Sequence, residues 1–262
     1  MKFSTVVFLS FLTIFCLLNL SCYSQNYYPT QSISSEHNYQ RTTRFTERLQ
    51  RSIISVIHKP TGRIAGSGVI IKIQRKKNTL LILTAAHVAG RLKEEIPFCL
   101  GKVLYSTLRH TIPISWCSSD YRVLYANKDM DLAILTVVID PAIFFLPYTS
   151  PLAAGIGPAV HPGVSVWLAS NNAGIQNVVT TRRITQVVLT KESRNCYMLD
   201  GSIDPGASGG GVFNNQGRVI GILIGYLNRP PFGIPLGTGA LAAHTSDIQK
   251  FLKYIRSTNA YL

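Results

Sequence analysis

The stretch Gly206-Ala207-Ser208-Gly209-Gly210 decides the fold and the chemistry expected of this chain. Glycine adopts positive φ without steric cost, so glycines before and after a serine let the backbone turn its N–H groups toward a bound carbonyl. Ser208 is therefore a candidate nucleophile. Taken alone, the stretch is equally typical of a flexible Gly/Ser turn, so its meaning depends on the segments that precede it.

The first of these segments contains a single histidine at the end of an apolar run. The apolar run 80–83 leads into Thr84-Ala85-Ala86-His87-Val88, a pattern that predicts a buried strand ending in small residues. Small neighbours leave the His87 ring accessible. The other five histidines lack this context and are typical of surface or hydrogen-bonded positions. His87 is the candidate general base.

A carboxylate precedes the second buried run. Asp129-Met130-Asp131 opens the apolar segment 132–135. A serine hydroxyl needs a neutral imidazole to remove its proton, and the imidazole needs a carboxylate to hold its tautomer. The order His87, Asp131, Ser208 therefore predicts a catalytic triad. Asp129 is the alternative for the carboxylate, and the position of Asp131 directly before Leu132 favours Asp131.

The three segments TAAHV (84–88), DLAIL (131–135) and GASGG (206–210) resemble, in this order, the signature segments of trypsin-like serine proteases. The details are similar to the high-temperature-requirement type of bacterial protease, with further likeness at residues 66–71 and 215–222. The resemblance covers about residues 53–256. It implies an all-β fold of two six-stranded antiparallel β-barrels with a C-terminal helix. Many members continue into a PDZ module, and with the sequence ending at Leu262 we expect none here.

Composition agrees with an all-β fold. Thirteen prolines and twenty glycines separate many short β-branched runs, and 46% hydrophobic residues exclude general disorder. We expect a protease domain over 42–256, with a first barrel over about 53–140, a crossover over 141–151 and a second barrel over about 152–244. A helix is predicted over 246–256, where Ser246 and Gln249 form a capping box.

The first residues are expected to lie outside the fold. Lys2 precedes an apolar stretch that ends at Leu20, which predicts a signal peptide over 1–24 and an exported protein, secreted or periplasmic. The alternative is lipidation of Cys22, which would anchor the chain to a membrane. Residues 25–41 are predicted to be a disordered linker, followed by a short helix capped by Thr43.

The sequence leaves the pairing of the cysteines open. Cys99 and Cys117 are eighteen residues apart and either form a disulfide or remain buried thiols, and Cys196 is left over. No metal-binding spacing occurs, so we expect neither metal nor cofactor.

The net charge of +14 favours anionic envelope components as partners. Basic residues are not interleaved with aromatic ones, which argues against nucleic acid. Oligomeric state is left open.

The leading hypothesis is an exported serine endopeptidase acting on polypeptides, with the N–H groups of Gly206 and Ser208 as the oxyanion hole. The alternatives are a non-catalytic peptide- or envelope-binding barrel, and an esterase or a protease that cleaves only itself. The resemblance implies that Ser202 floors the side-chain pocket and that Ile224-Gly225-Tyr226 pairs with substrate. An uncharged Ser202 predicts cleavage after Ala, Val or Leu, unless Asp200 or Asp204 turns inward.

Overall fold

The computed structural model describes residues 33–92, 98–103, 115–146, 150–172, 175–190, 194–226 and 239–258. The predicted signal peptide, Cys22 and the first part of the predicted linker lie outside these ranges. The chain divides into two units between Thr42 and Thr43, and everything described below from Thr43 onward belongs to the second unit.

The described ranges contain α-helices, two 3-10 turns and antiparallel strands. The helices are α1 (Ile33–Ser52), α2 (Ala86–Arg91) and α3 (Thr245–Thr258), and the 3-10 turns are Arg75–Lys77 and Pro141–Phe145. The strands are β1 (Ile53–His58), β2 (Arg63–Gln74), β3 (Thr79–Thr84), β4 (Phe98–Val103), β5 (Ser115–Ser118), β6 (Tyr121–Asn127), β7 (Leu132–Val138), β8 (Ser165–Asn172), β9 (Ile175–Leu189), β10 (Asn195–Leu199), β11 (Gly211–Phe213), β12 (Val219–Tyr226) and β13 (Ala240–His244).

The strands form two sheets, which confirms the all-β prediction. Strands β8 to β13 close into a six-stranded barrel in the order β10-β13-β12-β11-β8-β9. The predicted first barrel is a half-barrel in the described residues: β1 to β7 form a seven-stranded sheet in the order β5-β4-β1-β2-β3-β7-β6. The sheet has one strand more than predicted because the chain between β4 and β7 supplies both edges, β5 and β6.

The prediction of a disordered linker over 25–41 was wrong for residues 33–41, which belong to α1. Residues 33–52 contain neither glycine nor proline, so nothing interrupts a helix once its last turns are fixed by packing. That packing comes from Leu49, which is buried, and from Phe45, whose ring lies 5.2 Å from that of Trp167. Thr43 consequently lies inside the helix and does not cap it.

The C-terminal helix packs its apolar stripe on the core, as its sequence predicts. Ile248, Phe251, Leu252 and Ile255 are buried. The capping box on Ser246 was wrong, because α3 already begins at Thr245. The imidazole Nδ1 of His244 accepts the Ser246 N–H at 3.1 Å and so caps this helix end. None of the helices in the described ranges has the length and apolarity needed to cross a membrane.

Apolar residues form three clusters. One lies within the seven-stranded sheet, one inside the barrel, and the third joins the two sheets through residues such as Val69, Phe213 and Phe251. Cys99 and Cys117 form a disulfide between β4 and β5, which settles the alternative that the sequence left open. The joining cluster fixes the sheet against the barrel, and the candidate site lies along this junction.

Candidate active site

His87 lies where β3 turns into α2. Strand β3 ends at Thr84, and Ala85, with extended backbone, precedes the helix that begins at Ala86. Because Ala85, Ala86 and Val88 are buried while the His87 side chain is 38% exposed, the turn presents the imidazole to solvent. This is the placement expected from the small residues in the segment 84–88.

Asp131 holds His87 at two points. Its Oδ2 lies 2.8 Å from the imidazole Nδ1, and its Oδ1 accepts the His87 backbone N–H at 2.9 Å. An ionised carboxylate can only accept, so Nδ1 carries the proton of a neutral ring and Nε2 is left with a lone pair. The ring is thereby prepared to receive a proton at Nε2.

The backbone at Asp131 is in the left-handed region, with a φ of +49°, which is uncommon for a residue other than glycine. Two backbone hydrogen bonds hold Asp131 in this conformation. Its N–H donates to the carbonyl of Lys128, and its carbonyl accepts from the N–H of Ala86. Asp129 in the same turn is exposed, and within the described residues the hydrogen bonds and ion pair of His87 are with Asp131. Of the two aspartates left open by the sequence, Asp131 is the one that meets the imidazole.

Ser208 lies in the loop between β10 and β11, and the backbone of this loop is fastened from several directions. The N–H of Ser67 in β2 donates to the Ser208 carbonyl at 2.7 Å, and Gly209 N–H donates to the carbonyl of Leu223 at 2.7 Å. Gly210 N–H donates to the Ala207 carbonyl at 2.9 Å. The position of Ser208 is therefore set by β2 of the sheet and β12 of the barrel together.

The same hydrogen bonds determine which N–H groups of the loop remain available. The carbonyl of Ala207 is directed to Gly210, so the N–H at the other end of that planar peptide, on Ser208, is directed away from it. Among the described residues, neither Ser208 N–H nor Gly206 N–H donates to a backbone carbonyl. Gly206 has a φ of +97°, which an L side chain rarely adopts. Two N–H groups on one loop are thus left for an incoming acceptor.

The loop approaches the His87 segment through Gly209. A Cβ atom at Gly209 would lie 2.0 Å from the carbonyl oxygen of Ser67 and 2.2 Å from Oγ1 of Thr84, three residues before His87. Glycine is required here for close approach as well as for its φ of +85°. The Ser208 hydroxyl itself forms no hydrogen bond with the described residues; such contacts are often long before substrate binds.

The residues expected to contact substrate lie at the end of β12 and in the β10–β11 loop. Leu223 is the last β12 residue bonded to the Ser208 loop. Beyond it, Gly225 and Tyr226 pair with β13 on one side, and the described residues place no backbone partner on the other edge. Ser202 is exposed in the loop. The Asp200 carboxylate accepts the Arg183 N–H at 2.8 Å, so this aspartate is used as a turn residue.

Sequence reasoning missed Ser67 and Asn171. Both are buried at the sheet–barrel junction, and the Ser67 hydroxyl donates to the Gly206 carbonyl at 2.7 Å. Asn171 comes from β8, 104 positions along the chain from Ser67. No local pattern marks such a pair; the only sequence signal was a serine between glycines at 66–68.

The described fold, a β-sheet beside a closed six-stranded barrel with a C-terminal helix, is that of the trypsin-like class of peptidases. Residues 66–222, more than half of the chain, match the family model described as trypsin-like peptidase domain, and the chain belongs to this family. The resemblance to the high-temperature-requirement type is confirmed by a serine protease HtrA-like protein of Staphylococcus aureus strain MRSA252, 23% identical over 213 residues. The HtrA-like protein of strain USA300 is 23% identical over 209 residues.

These alignments cover 73% and 72% of this chain but only 23% of each relative. The chain therefore spans about a quarter of the length of the curated relatives it matches.

Proposed function

We propose that this protein is an exported serine endopeptidase. His87 accepts the Ser208 proton at Nε2, Ser208 Oγ attacks the scissile carbonyl, and the N–H groups of Gly206 and Ser208 stabilise the oxyanion. Collapse of the tetrahedral intermediate expels the amine, which takes the proton back from His87. Water then hydrolyses the acyl-enzyme by the same sequence of proton transfers.

The observation that carries this proposal is the double attachment of His87 to Asp131, at 2.8 Å and 2.9 Å. A barrel that only binds peptides or envelope components gains nothing from fixing the tautomer of a solvent-exposed imidazole. Such a protein would normally have lost one of His87, Asp131 or Ser208, and this chain retains all three. Family membership adds independent support.

Casein cleavage by the purified protein tests the activity. Ser208→Ala should lower turnover by about 10⁴- to 10⁶-fold, because triad members act as a unit. Its thermal unfolding should match that of the wild type. Full cleavage by folded Ser208→Ala protein would refute the endopeptidase assignment. Cleavage of simple esters without cleavage of casein would instead support the esterase alternative.

Export is supported by the disulfide between Cys99 and Cys117, because such bonds persist in oxidising compartments. The mature protein is then expected to begin at Gln25, or to carry a lipid on Cys22 if that alternative holds. Mass spectrometry of the N-terminal peptide after expression of the full gene distinguishes the two forms. A cytoplasmic protein that begins at Met1 would contradict export.

For substrate preference, we propose cleavage after Ala, Val or Leu, with the peptide paired to Ile224-Gly225-Tyr226 as an added strand. Burying a cation beside Ser202 would leave it without a counter-charge. One oxygen of the Asp200 carboxylate accepts the Arg183 backbone N–H, which holds this side chain in its own turn, and Asp204 is exposed. A peptide library should show small or aliphatic residues at this position, and a profile dominated by Arg or Lys would refute the pocket assignment.

The net charge of +14 supports an anionic envelope component as a further partner. Arg44 and Arg48 are exposed on the part of α1 that belongs to the second unit, and they supply cations there. Binding to an anionic envelope polymer should weaken as salt increases. Replacing both arginines by glutamine should reduce binding and leave peptide cleavage unchanged; unchanged binding would count against this partner.

A further inference from the structure

A buried hydroxyl at the sheet–barrel junction contacts the loop that carries Ser208. Ser67, in β2, has 0% of its surface exposed, and its Oγ lies 2.7 Å from the carbonyl oxygen of Gly206. The N–H of the same residue donates to the Ser208 carbonyl at 2.7 Å. One residue of the sheet therefore holds the loop on both sides of Ala207.

Three hydrogen bonds use the whole capacity of the Ser67 hydroxyl. The backbone N–H and the Nδ2 of Asn171 both donate to Ser67 Oγ, at 3.0 Å and 2.9 Å. A hydroxyl has one proton and two acceptor sites. Because both acceptor sites are filled by donors from Asn171, the proton has to go to the Gly206 carbonyl.

The Asn171 amide is fixed in turn. Its Oδ1 accepts from Ser55 Oγ and from the Asn177 N–H, each at 3.0 Å. A backbone N–H can only donate, so the oxygen of the amide must face Asn177 and the nitrogen must face Ser67. Gln50 of α1 extends this network by donating from Nε2 to the Asn177 carbonyl at 2.9 Å.

Gly206 is the residue whose conformation this network controls. The peptide between Gly206 and Ala207 is held at both ends, since its carbonyl accepts from Ser67 and its N–H donates to Asp204 at 3.1 Å. Glycine reaches positive and negative φ at similar cost. Without the bond from Ser67, the φ of +97° and the direction of the Gly206 N–H would lose one of the two restraints on this peptide.

We propose that Ser67, oriented by Asn171, is a positioning residue that keeps the Gly206 N–H directed at the oxyanion. This inference rests on the proposed function, since it assigns a role within the same site. Ser67 does not touch the substrate; it acts through the backbone of Gly206. Its effect belongs to the transition state, where charge develops on the carbonyl oxygen, and not to substrate binding.

The test compares Ser67→Ala, Ser67→Thr and Ser52→Ala by kcat and KM on a peptide anilide. Ser52 is the matched control, because its buried hydroxyl donates to the Leu49 carbonyl at 2.7 Å and lies outside the network. A peptide aldehyde provides a second readout, since its adduct with Ser208 places an oxyanion in the hole. Thermal unfolding shows that each variant is folded.

Ser67→Ala should lower kcat by about 10- to 100-fold and leave KM within about twofold, because removing an oxyanion donor outright costs more. The affinity of the aldehyde should fall by a similar factor. Ser67→Thr retains the hydroxyl and should restore most of kcat. Ser52→Ala should lower the unfolding temperature without changing kcat. If Ser67→Ala does not fold, Ser55→Ala should give a smaller loss of kcat in the same direction.

Folded Ser67→Ala with wild-type kcat and aldehyde affinity would overturn the inference, as would a loss confined to KM or an equal loss of kcat in Ser52→Ala. With Ser67→Ala unfolded, wild-type kcat in Ser55→Ala would overturn it. Failure of the proposed function looks different: the wild type and Ser208→Ala would then be indistinguishable, and the role of Ser67 would fall with it.

Discussion

The seven-stranded sheet and the closed barrel hold their parts of the candidate site by different means. In the sheet, Asp131 and His87 lie next to the ends of the paired strands β7 and β3, and their side chains bond to each other. In the barrel, Ser208 lies in a loop whose backbone is fastened at Gly206, Ser208, Gly209 and Gly210. In the sheet a side chain is oriented, whereas in the barrel loop a backbone is held, partly by Ser67 of the sheet.

This difference predicts two kinds of sensitivity to mutation. On the sheet, the His87 side chain is 38% exposed and is not part of the core. Replacing His87 or Asp131 should therefore remove activity and leave stability nearly intact. In the barrel loop, glycines are packed against backbone, so changing them should lower stability as well. Substitutions in each region, with matched controls, test whether the distinction holds.

The largest effect is expected from Asp131→Asn. An amide in place of the carboxylate favours the wrong imidazole tautomer, and kcat should fall by about 10⁴-fold. Steady-state cleavage of a peptide substrate measures this. Asp129→Asn is the matched control, because Asp129 is exposed in the same turn, whereas it is Asp131 that contacts His87. Equal losses in the two variants would contradict the geometry.

Gly209→Ala should destabilise the protein by about 3–5 kcal/mol, because strain at positive φ adds to overpacking. Its new Cβ would lie 2.0 Å from the Ser67 carbonyl oxygen. Gly163→Ala separates the two causes, since Gly163 has a similar φ of +90° but no atom within 4 Å of the added Cβ. It should cost only about 1–2 kcal/mol. Denaturant unfolding measures both, and equal costs would refute the close approach.

The smallest effect concerns stability and His244. Burial lowers the pKa of His244, against an opposing contribution from Asp247, while Lys250 adds to the lowering. The unfolded chain therefore binds a proton more readily than the folded one, and stability falls as pH drops below about 6.5. His244→Asn should reduce the loss between pH 7.5 and 5 by at most about 0.5 kcal/mol, because the half-buried ring is screened. An unchanged loss would exclude this contribution.

The sheet half of the site could be predicted largely from sequence. The strand before His87 and the strand after Asp131 are marked by apolar runs, and the candidate site residues lie at their ends. Short-range patterns suffice there because each functional residue is next to the strand that positions it. The sequence favoured Asp131 over Asp129, and the structure places the Asp131 carboxylate 2.8 Å from the imidazole Nδ1 of His87.

The rest depends on long-range packing that no local pattern encodes. Ser67 and Asn171 meet through the docking of β2 against β8, and only the folded chain brings them beside Gly206. Helix α1 begins ten residues before the predicted helix, in a run without glycine or proline whose weakly apolar sequence does not mark a helix start. The first barrel was predicted from resemblance alone, and the described strands form an open sheet of seven.

The central claim is that Ser208 is a nucleophile activated by His87. Labelling with a fluorophosphonate probe tests it most directly, because the probe reacts with an activated serine and requires no knowledge of the substrate. The account predicts stoichiometric labelling of the wild type at Ser208, at least about 10³-fold slower labelling of His87→Ala, and none of Ser208→Ala. A folded wild-type protein that the probe leaves unlabelled, or labels equally after Ser208→Ala, would contradict it.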